Sequence, residues 1–344
     1  ARMDKRTWAD HEVFAADIEV AHFGPEPLRD VQPVWRIETS EGAVVTSGTL
    51  ARLDVPVDNA IALGRIEIPC STLSFPSAYR LVVGLDRDGC ENDWAFWVYG
   101  RDLPTPPAGI RVTTSLDKEA MAALADGGKV LLLANPETVS GGVAIGFSSV
   151  FWNTAWTQGQ APHTLGILCD PEHPVFRDFP TDYHTDWQWW ELIHGSAAMV
   201  LDDMPSGLRP LIQPIDTWFE ARRLGLLFEA QVHGGRLMVC SMDLASDLDR
   251  RHVARQMRHT ILQYMDKTVE AQARSLTEWS ERYEATAAAA SLEADESHVQ
   301  VQEVDDRVSS FVPPSVATPQ FIDDAAGDLE LAAVTVHATP SVPQ

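Results

Sequence analysis

The chain has 344 residues, and 45% of them are apolar, which is enough to build two hydrophobic cores. It carries 50 acidic against 26 basic residues, and the net charge of -24 argues against nucleic acid and anionic membrane surfaces as partners, because both are bound through clustered Lys and Arg. A neutral or cationic ligand fits this charge better, and no run approaches the roughly 20 apolar residues of a membrane-spanning helix.

Short runs of alternating apolar residues, separated by turn residues, predict β-strands between about Asp10 and Tyr99. The clearest alternation places Trp94, Phe96 and Val98 on one face of a terminal strand. This spacing, without helical periodicity, is typical of an antiparallel β-sandwich of immunoglobulin-like type, which we assign to residues 1–103. The five runs are EVFAADIEVAHFG, PVWRIETSEG, GRIEIPCSTL, AYRLVVGLDRDG and DWAFWVYG.

A proline-rich segment, GRDLPTPPAG at residues 100–109, predicts a linker between two domains. After it the pattern becomes strand, helix and strand. Ser115 is the predicted N-cap of the helix, Gly127 and Gly128 end it, and a buried strand follows from Val130 to Ala134. This is a βαβ unit, which predicts a parallel sheet.

Further elements extend the second domain. HTLGILCD and GRLMVCSMDL predict two more strands, and an apolar stripe at i, i+4 spacing predicts a helix from Arg251 to Met265. We therefore predict an open α/β domain over residues 104–267. The stripe consists of Val253, Met257, Ile261 and Met265.

Residues 268–344 have a different composition. From Asp266 onward acidic residues outnumber basic ones by 15 to 4, and a helix-compatible beginning gives way to Val, Pro, Ser and Asp without any period. We predict an acidic tail that is partly helical and then disordered. Because the chain begins at Ala1, without an initiator Met or a signal-like run, we expect a processed chain or a piece of a longer protein.

No catalytic nucleophile or metal site emerges from the sequence. GFSSV at 146–150 approaches the G-x-S-x-G nucleophile elbow around Ser148, but Val150 stands in the place of the second glycine. Cys169 and Cys240 end apolar strands, where a buried structural thiol is usual, although a hydrolase or amidotransferase using Ser148 or Cys169 stays an alternative. The histidines lack zinc-site spacing, and we predict no metal and no cofactor.

The sequence leaves one possible disulfide undecided. Cys70 and Cys90 allow a disulfide, so the sequence does not distinguish a periplasmic or secreted protein from a cytoplasmic one.

Asp182, Asp186 and Glu191 supply acidic groups of the kind that glycoside hydrolysis requires. Three acids in one short stretch do not show the rigid separation across a sugar-sized cleft, and we predict no catalytic residue among them.

Aromatic residues are concentrated in the second domain: six of the eleven tryptophans fall between Trp152 and Trp218, among Asn, Gln, Asp and His. Indole rings stack on the C–H faces of sugars, and these polar side chains bind hydroxyls, so one interpretation is a saccharide surface. The other, which we favour, is packing in a core or between domains. The candidates for carbohydrate or interdomain contact are Trp152, Asn153, Trp156, His184, Trp187, Gln188 and Trp190.

Seven motifs stand in this order along the chain: NDWAFWVYG, GGKVLLL, GFSSVFWNTAW, LGILCDPEHPVFRDFPTDYHTDWQWWELI, LRPLIQPIDTW, LGLLFEAQVHGGRLMVCSMDL and ARQMRHTILQYM. Together they resemble the C-terminal region of glycoside hydrolase family 2 proteins of the β-galactosidase-like, sugar-binding-domain group. The resemblance covers about residues 10–267 and is most specific around the tryptophans. It implies an immunoglobulin-like domain followed by an α/β domain like that of class I glutamine amidotransferases, without the catalytic apparatus.

The resemblance also implies where the chemistry of such proteins takes place. Their hydrolytic activity belongs to an upstream (β/α)8 barrel, whose strand–helix repeats are absent here. The acid/base glutamate of the family follows an asparagine, and this sequence has no Asn-Glu dipeptide, so no catalytic residue carries over. The implied role is a non-catalytic accessory region that supports the barrel, shapes the substrate rim or mediates assembly, with the barrel as a fused or separate partner. A stand-alone carbohydrate-binding protein with a glycan as its partner is the alternative, and a homo-oligomer stays open.

Overall fold

The computed structural model describes residues 1–87, 89, 91–139, 141–146, 164–194, 196–217 and 220–267. Within these ranges the protein is β-rich, with eighteen strands in several sheets and three α-helices. No helix within them is long and apolar enough to cross a membrane.

The first unit consists of two strand layers around one core. Five strands form a sheet in the order β1-β9-β8-β4-β5, and β2 pairs with β7 and β3 with β6. Phe14 of β2 and Phe96 of β9 meet in the core between the layers, with ring centroids 4.3 Å apart. The nine strands are β1 (Thr7–Ala9), β2 (Val13–His22), β3 (Leu28–Val31), β4 (Pro33–Thr39), β5 (Val44–Thr49), β6 (Leu53–Val55), β7 (Asp58–Pro69), β8 (Ser77–Leu85) and β9 (Glu91–Tyr99).

The five strands predicted for this unit are confirmed as β2, β4, β7, β8 and β9. All strand pairs of the unit are antiparallel except β1 with β9, which is parallel. The coarse prediction of a β-rich first unit is therefore correct, and the immunoglobulin-like assignment stays a prediction. Cys70 is a free, fully buried thiol. It therefore does not form the disulfide that the sequence allowed.

Strand β9 belongs to two cores at once. Phe96 and Val98 are buried in the core of the first unit, as the alternation predicted, and Trp94 is partly buried against it. Trp97 and Tyr99 point to the opposite face and are buried in the large core of the second unit. Because successive side chains of a strand point to opposite faces, one strand joins both hydrophobic clusters.

The second unit contains a six-stranded mixed sheet in the order β10-β11-β18-β17-β15-β13 and a three-stranded sheet in the order β12-β14-β16. The predicted βαβ unit is confirmed, since β10, α1 and β11 follow one another and β10 lies parallel to β11. The elements are β10 (Ile110–Thr113), α1 (Lys118–Ala125), β11 (Lys129–Leu133), β12 (Val143–Ala144), β13 (Gly166–Cys169), α2 (Trp189–Ile193), β14 (Ala197–Val200), β15 (Pro210–Ile215), β16 (Leu224–Gly225), β17 (Leu227–Val232), β18 (Gly235–Cys240) and α3 (His252–Asp266).

The prediction of a parallel sheet holds for only half of this unit. Strands β10, β11 and β18 are parallel to one another, whereas β17, β15 and β13 are antiparallel to their neighbours. Strands β17 and β18 form a hairpin through His233 and Gly234, both at positive φ, and such a tight turn reverses the chain without the crossover helix that a parallel pair requires. The amidotransferase-like assignment accordingly stays a prediction.

The N-cap of α1 differs from the predicted one. Asp117, and not Ser115, caps this helix, with its carboxylate accepting a hydrogen bond from Ala120 N at 2.8 Å. Ser115 lies two residues earlier, where its carbonyl accepts a hydrogen bond from the Thr113 hydroxyl at 2.9 Å. The predicted stop is correct, since Gly127 follows the helix with a positive φ of 77°.

Helix α3 fastens the two units together. Its buried face packs in the same core as Trp97 and Tyr99 of β9. Arg255 donates a hydrogen bond to the carbonyl of Gly100 at 3.0 Å, and His252 lies 3.8 Å from the carboxylate of Glu12. The contacts bring the first unit against the tryptophan-rich segment of the second.

Candidate functional site

The tryptophan-rich segment folds as a loop after β13 that ends in the short helix α2. Trp189 is fully buried at the start of this helix, where its ring lies edge-on to Phe179 with centroids 5.5 Å apart. Its indole N–H donates a hydrogen bond to the Thr181 hydroxyl at 2.9 Å. Leu192 and Ile193 are buried on the same side of α2. Trp189 is therefore an anchor that holds the loop to the core.

Gln188 is a buried polar link between the two units. Its side-chain oxygen accepts a hydrogen bond from the Tyr99 hydroxyl of β9. Its amide nitrogen donates to the carbonyl of Pro180 at 2.7 Å and to the carboxyl of Asp186 at 3.0 Å. With these bonds the side chain satisfies most of its hydrogen-bonding capacity inside the protein.

Asp186 is the most perturbed acid of the loop. Burial raises the pKa of its carboxyl to about 7, and hydrogen bonds from the side chain and backbone of Gln188 oppose this rise. Both carboxyl oxygens are engaged, because Oδ1 accepts from Gln188 N and Oδ2 accepts from its side-chain amide, each at 3.0 Å. Near neutral pH this group is poised between its charged and neutral forms.

Trp187 and Trp190 lie side by side on the surface. They expose 59% and 49% of their area, and their ring centroids are 6.3 Å apart with the planes tilted by 38°. Trp190 stacks on His194 at 3.8 Å, and the guanidinium of Arg6 lies 5.7 Å from the centre of the Trp187 ring. We call Trp187, Trp190 and His194 the tryptophan patch.

His184 lies apart from this patch along the loop. It is exposed, forms an antiparallel bridge with Leu168 of β13, and its ring Nδ1 is 3.1 Å from the carbonyl of Thr185. The exposed ring of Tyr183 meets it edge-on at 4.9 Å. The remaining candidates, Trp152, Asn153 and Trp156, lie outside the described residues, as do Ser148 and Trp218.

The described thiols are buried. Cys169 and Cys240 are free and buried, and burial raises the pKa of each to about 12. Cys169 Sγ donates a hydrogen bond to the carbonyl of Asp182 at 3.3 Å. A nucleophilic cysteine needs a lowered pKa and access to solvent, so Cys169 does not fit that role.

Several acids and histidines of the second unit are held by contacts within the fold. No group of three or more His, Cys, Asp or Glu among the described residues is placed to hold a metal ion. Glu191 forms an ion pair with Arg251 at 3.2 Å, and burial raises the pKa of its carboxyl. His173 accepts a hydrogen bond from Val175 N at 3.2 Å, and burial together with the charge of Arg236 lowers its pKa to about 4.

Two residues of the site were missed by the sequence interpretation. Tyr99 could have been found from the sequence, because it alternates with Phe96 and Val98 along the strand and so points away from the first core. Arg6 could not have been found from the sequence, because its position beside Trp187 depends on contacts between residues far apart in the chain.

Two family models match the chain. Residues 111–281 match the model described as Domain of unknown function (DUF8487), and residues 12–100 match that described as Domain of unknown function (DUF8488). No curated protein matches the chain significantly.

Solved structures resemble parts of the chain. A β-glucuronidase from glycoside hydrolase family 2 is 15% identical over 25% of this chain and 10% of its own, with a TM-score of 0.21. A putative β-galactosidase from Bacteroides fragilis is 16% identical over 35% of this chain and 22% of its own, with a TM-score of 0.21. The β-glucuronidase of Parabacteroides merdae is 12% identical over 35% of this chain and 19% of its own, with a TM-score of 0.19. The matches thus span less than a quarter of each of these proteins.

Proposed function

We propose that this chain is a non-catalytic accessory region of a glycoside hydrolase, in which the tryptophan patch holds a saccharide next to the catalytic barrel. One observation carries the proposal: Trp187 and Trp190 present neighbouring ring surfaces to solvent while Gln188 and Trp189 between them are fully buried. The resemblance of the sequence motifs to the accessory part of family 2 proteins supports it.

The exposure of the two rings favours a ligand surface. Full burial of a large apolar side chain stabilises a protein by about 1.5 to 3 kcal/mol, and two half-exposed indoles leave part of that free energy for a ligand that covers them. The apolar C–H face of a sugar ring suits a flat indole. The backbone behind the patch is fixed by Trp189 and Gln188, so little ordering is required on binding.

The chemistry of the surrounding groups favours binding over catalysis. Asp186 has both oxygens occupied by Gln188, and Glu191 is paired with Arg251. Glycoside hydrolysis requires two carboxyl groups that face each other across the sugar, one as an acid and the other as a nucleophile or base. The thiol of Cys169 is buried and protonated. A role without bond cleavage agrees with each of these observations.

The test is saccharide binding by the whole chain, measured by calorimetry and by tryptophan fluorescence with neutral β-linked oligosaccharides. We expect Trp187→Ala and Trp190→Ala each to weaken binding about tenfold, equivalent to about 1.4 kcal/mol. Trp187→Phe, which keeps a flat aromatic face, should weaken it less. Phe23→Ala removes another exposed aromatic side chain, in the loop after β2, and serves as the matched control.

The proposal fails if the folded chain binds no saccharide, or if Trp187→Ala and Phe23→Ala leave the affinity equally unchanged. Sugar release by the chain alone from a chromogenic β-glycoside would contradict its non-catalytic part.

A further inference from the structure

Arg6 connects the first unit to the tryptophan patch. Its guanidinium Nη1 donates a hydrogen bond to the carbonyl of Ala95 at 2.9 Å, and its own carbonyl accepts one from Trp97 N at 2.8 Å. From this fixed position the guanidinium reaches over to the loop of the second unit, 5.7 Å from the ring centre of Trp187. The patch therefore has a cation at its border that the other unit supplies.

This cation has no counter-charge among the described residues. Arg36, Arg65 and Arg251, like many arginines of this acidic chain, each form ion pairs with two carboxylates. Among the described residues no carboxylate lies within 4.0 Å of the Arg6 guanidinium, and only Nη1 has a hydrogen-bond acceptor. Burial lowers the pKa of Arg6, with no carboxylate to offset it. A partly desolvated guanidinium next to exposed rings has donors available for an anion.

We infer that Arg6 makes the tryptophan patch selective for saccharides that carry a carboxylate, such as a terminal uronic acid. This inference rests on the proposed function and adds the class of ligand. The sugar ring stacks on Trp187, and its carboxylate accepts hydrogen bonds from the Nε and Nη2 edge of Arg6. The planar guanidinium matches a carboxylate with two parallel hydrogen bonds, which a lysine does not provide.

The excess of negative charge on the chain does not prevent this contact. At physiological ionic strength charges separated by more than about 8 Å are largely screened, so the groups nearest the patch decide the local field. Glu191 forms an ion pair with Arg251 at 3.2 Å. Both carboxyl oxygens of Asp186 accept hydrogen bonds from Gln188, each at 3.0 Å. Both acids are thus engaged by other groups, and neither forms an ion pair with Arg6.

The experiment compares a β-linked glucose trisaccharide with its counterpart whose terminal glucose is oxidised to glucuronic acid. Calorimetry on the whole chain at pH 7.5 measures both affinities at low and at high NaCl. We expect the acidic trisaccharide to bind about five- to tenfold more tightly at low salt, with the difference shrinking as salt is raised. Arg6→Gln should abolish the difference and keep the neutral affinity, and Arg6→Lys should restore only part of it.

The matched control is Arg65→Gln, which removes one positive charge from the exposed ion pairs of β7. It should keep the preference for the acidic ligand, and thermal unfolding verifies that each variant is folded. Equal affinity of the wild-type chain for both trisaccharides would overturn the inference and leave the proposed function standing, as would an unchanged preference in Arg6→Gln. Binding of neither trisaccharide would overturn the proposed function and the inference together.

Discussion

The hydroxyl of Tyr99, at the end of the last strand of the first unit, donates a hydrogen bond to the buried side-chain oxygen of Gln188, next to Trp187 of the tryptophan patch. The first unit thus holds the loop that presents the patch. This direct link between the two units makes the geometry of the exposed rings depend on both.

Tyr99→Phe removes the hydroxyl and leaves the oxygen of Gln188 buried without its donor. We expect the free energy of unfolding to fall by about 1 to 3 kcal/mol, measured by urea denaturation. Tyr79→Phe is the matched control, because the Tyr79 hydroxyl donates to the Ser74 carbonyl within the first unit. Only Tyr99→Phe should also alter the quenching of the exposed tryptophans by iodide. A Tyr99→Phe protein with wild-type stability and quenching would show that the bond does not hold the loop.

Neighbouring tryptophans should differ sharply in their effect on stability. Trp189→Ala empties a fully buried site and should cost about 3 to 5 kcal/mol of unfolding free energy. Trp190→Ala, one position further along, removes a half-exposed ring and should cost less than about 1 kcal/mol. Chemical denaturation of both variants measures the contrast. Similar losses for the two would refute the assignment of one ring to the core and the other to the surface.

Asp186 should give the stability a pH dependence. The folded pKa of about 7 exceeds the ordinary value of 3.8, so the folded chain holds the proton more tightly. Its contribution is therefore fully present below pH 3.8 and is lost as the pH rises through about 7. Relative to Asp186→Asn, the wild-type protein should lose about 2 kcal/mol between pH 5 and pH 8, less than the full shift allows because the carboxyl is partly exposed.

The measurement is urea denaturation of both proteins at several pH values, since the difference between them cancels the titration of every other group. Asp58→Asn, at an exposed acid of β7 in the first unit, is the control and should keep the pH dependence that Asp186 produces. A pH-independent difference between wild type and Asp186→Asn would show that Asp186 has an ordinary pKa.

The Cys169 thiol should resist alkylation in the folded chain. With its pKa at about 12, the thiolate fraction at pH 8 is roughly a thousandfold below that of a free cysteine. Iodoacetamide labelling, followed by mass spectrometry of the peptide that contains Cys169, should show modification only after unfolding in urea. Rapid labelling of the native protein would bring back the hypothesis of a cysteine nucleophile.

Local patterns predicted much of the fold. The alternation of apolar residues located the strands of the first unit, and Gly127 with Gly128 located the end of α1. The direction of β13, β15 and β17 was not predictable from local patterns, because strand pairing depends on contacts between distant segments. The cap of α1 was placed two residues too early, at Ser115, because Ser and Asp both serve as N-caps and the sequence alone does not fix the first helical residue.

The candidate site was predictable in part. Trp189, Leu192 and Ile193 stand at i, i+3 and i+4, a helical spacing that identifies the buried face of α2. Trp190 falls outside that face, so the sequence contained the signal that separates these two tryptophans. The burial of Gln188 and the approach of Arg6 had no such signal, since both depend on the first unit.

Because β9 is buried on both faces, both hydrophobic cores constrain its alignment with β8. A slip of one residue against β8 would turn Trp97 and Tyr99 into the first core and Phe96 and Val98 toward the second. Both interiors would receive side chains of the wrong volume in a single error. A shift of β9 by one residue is therefore penalised on both sides of the strand, so we expect β9 to tolerate insertions and deletions poorly.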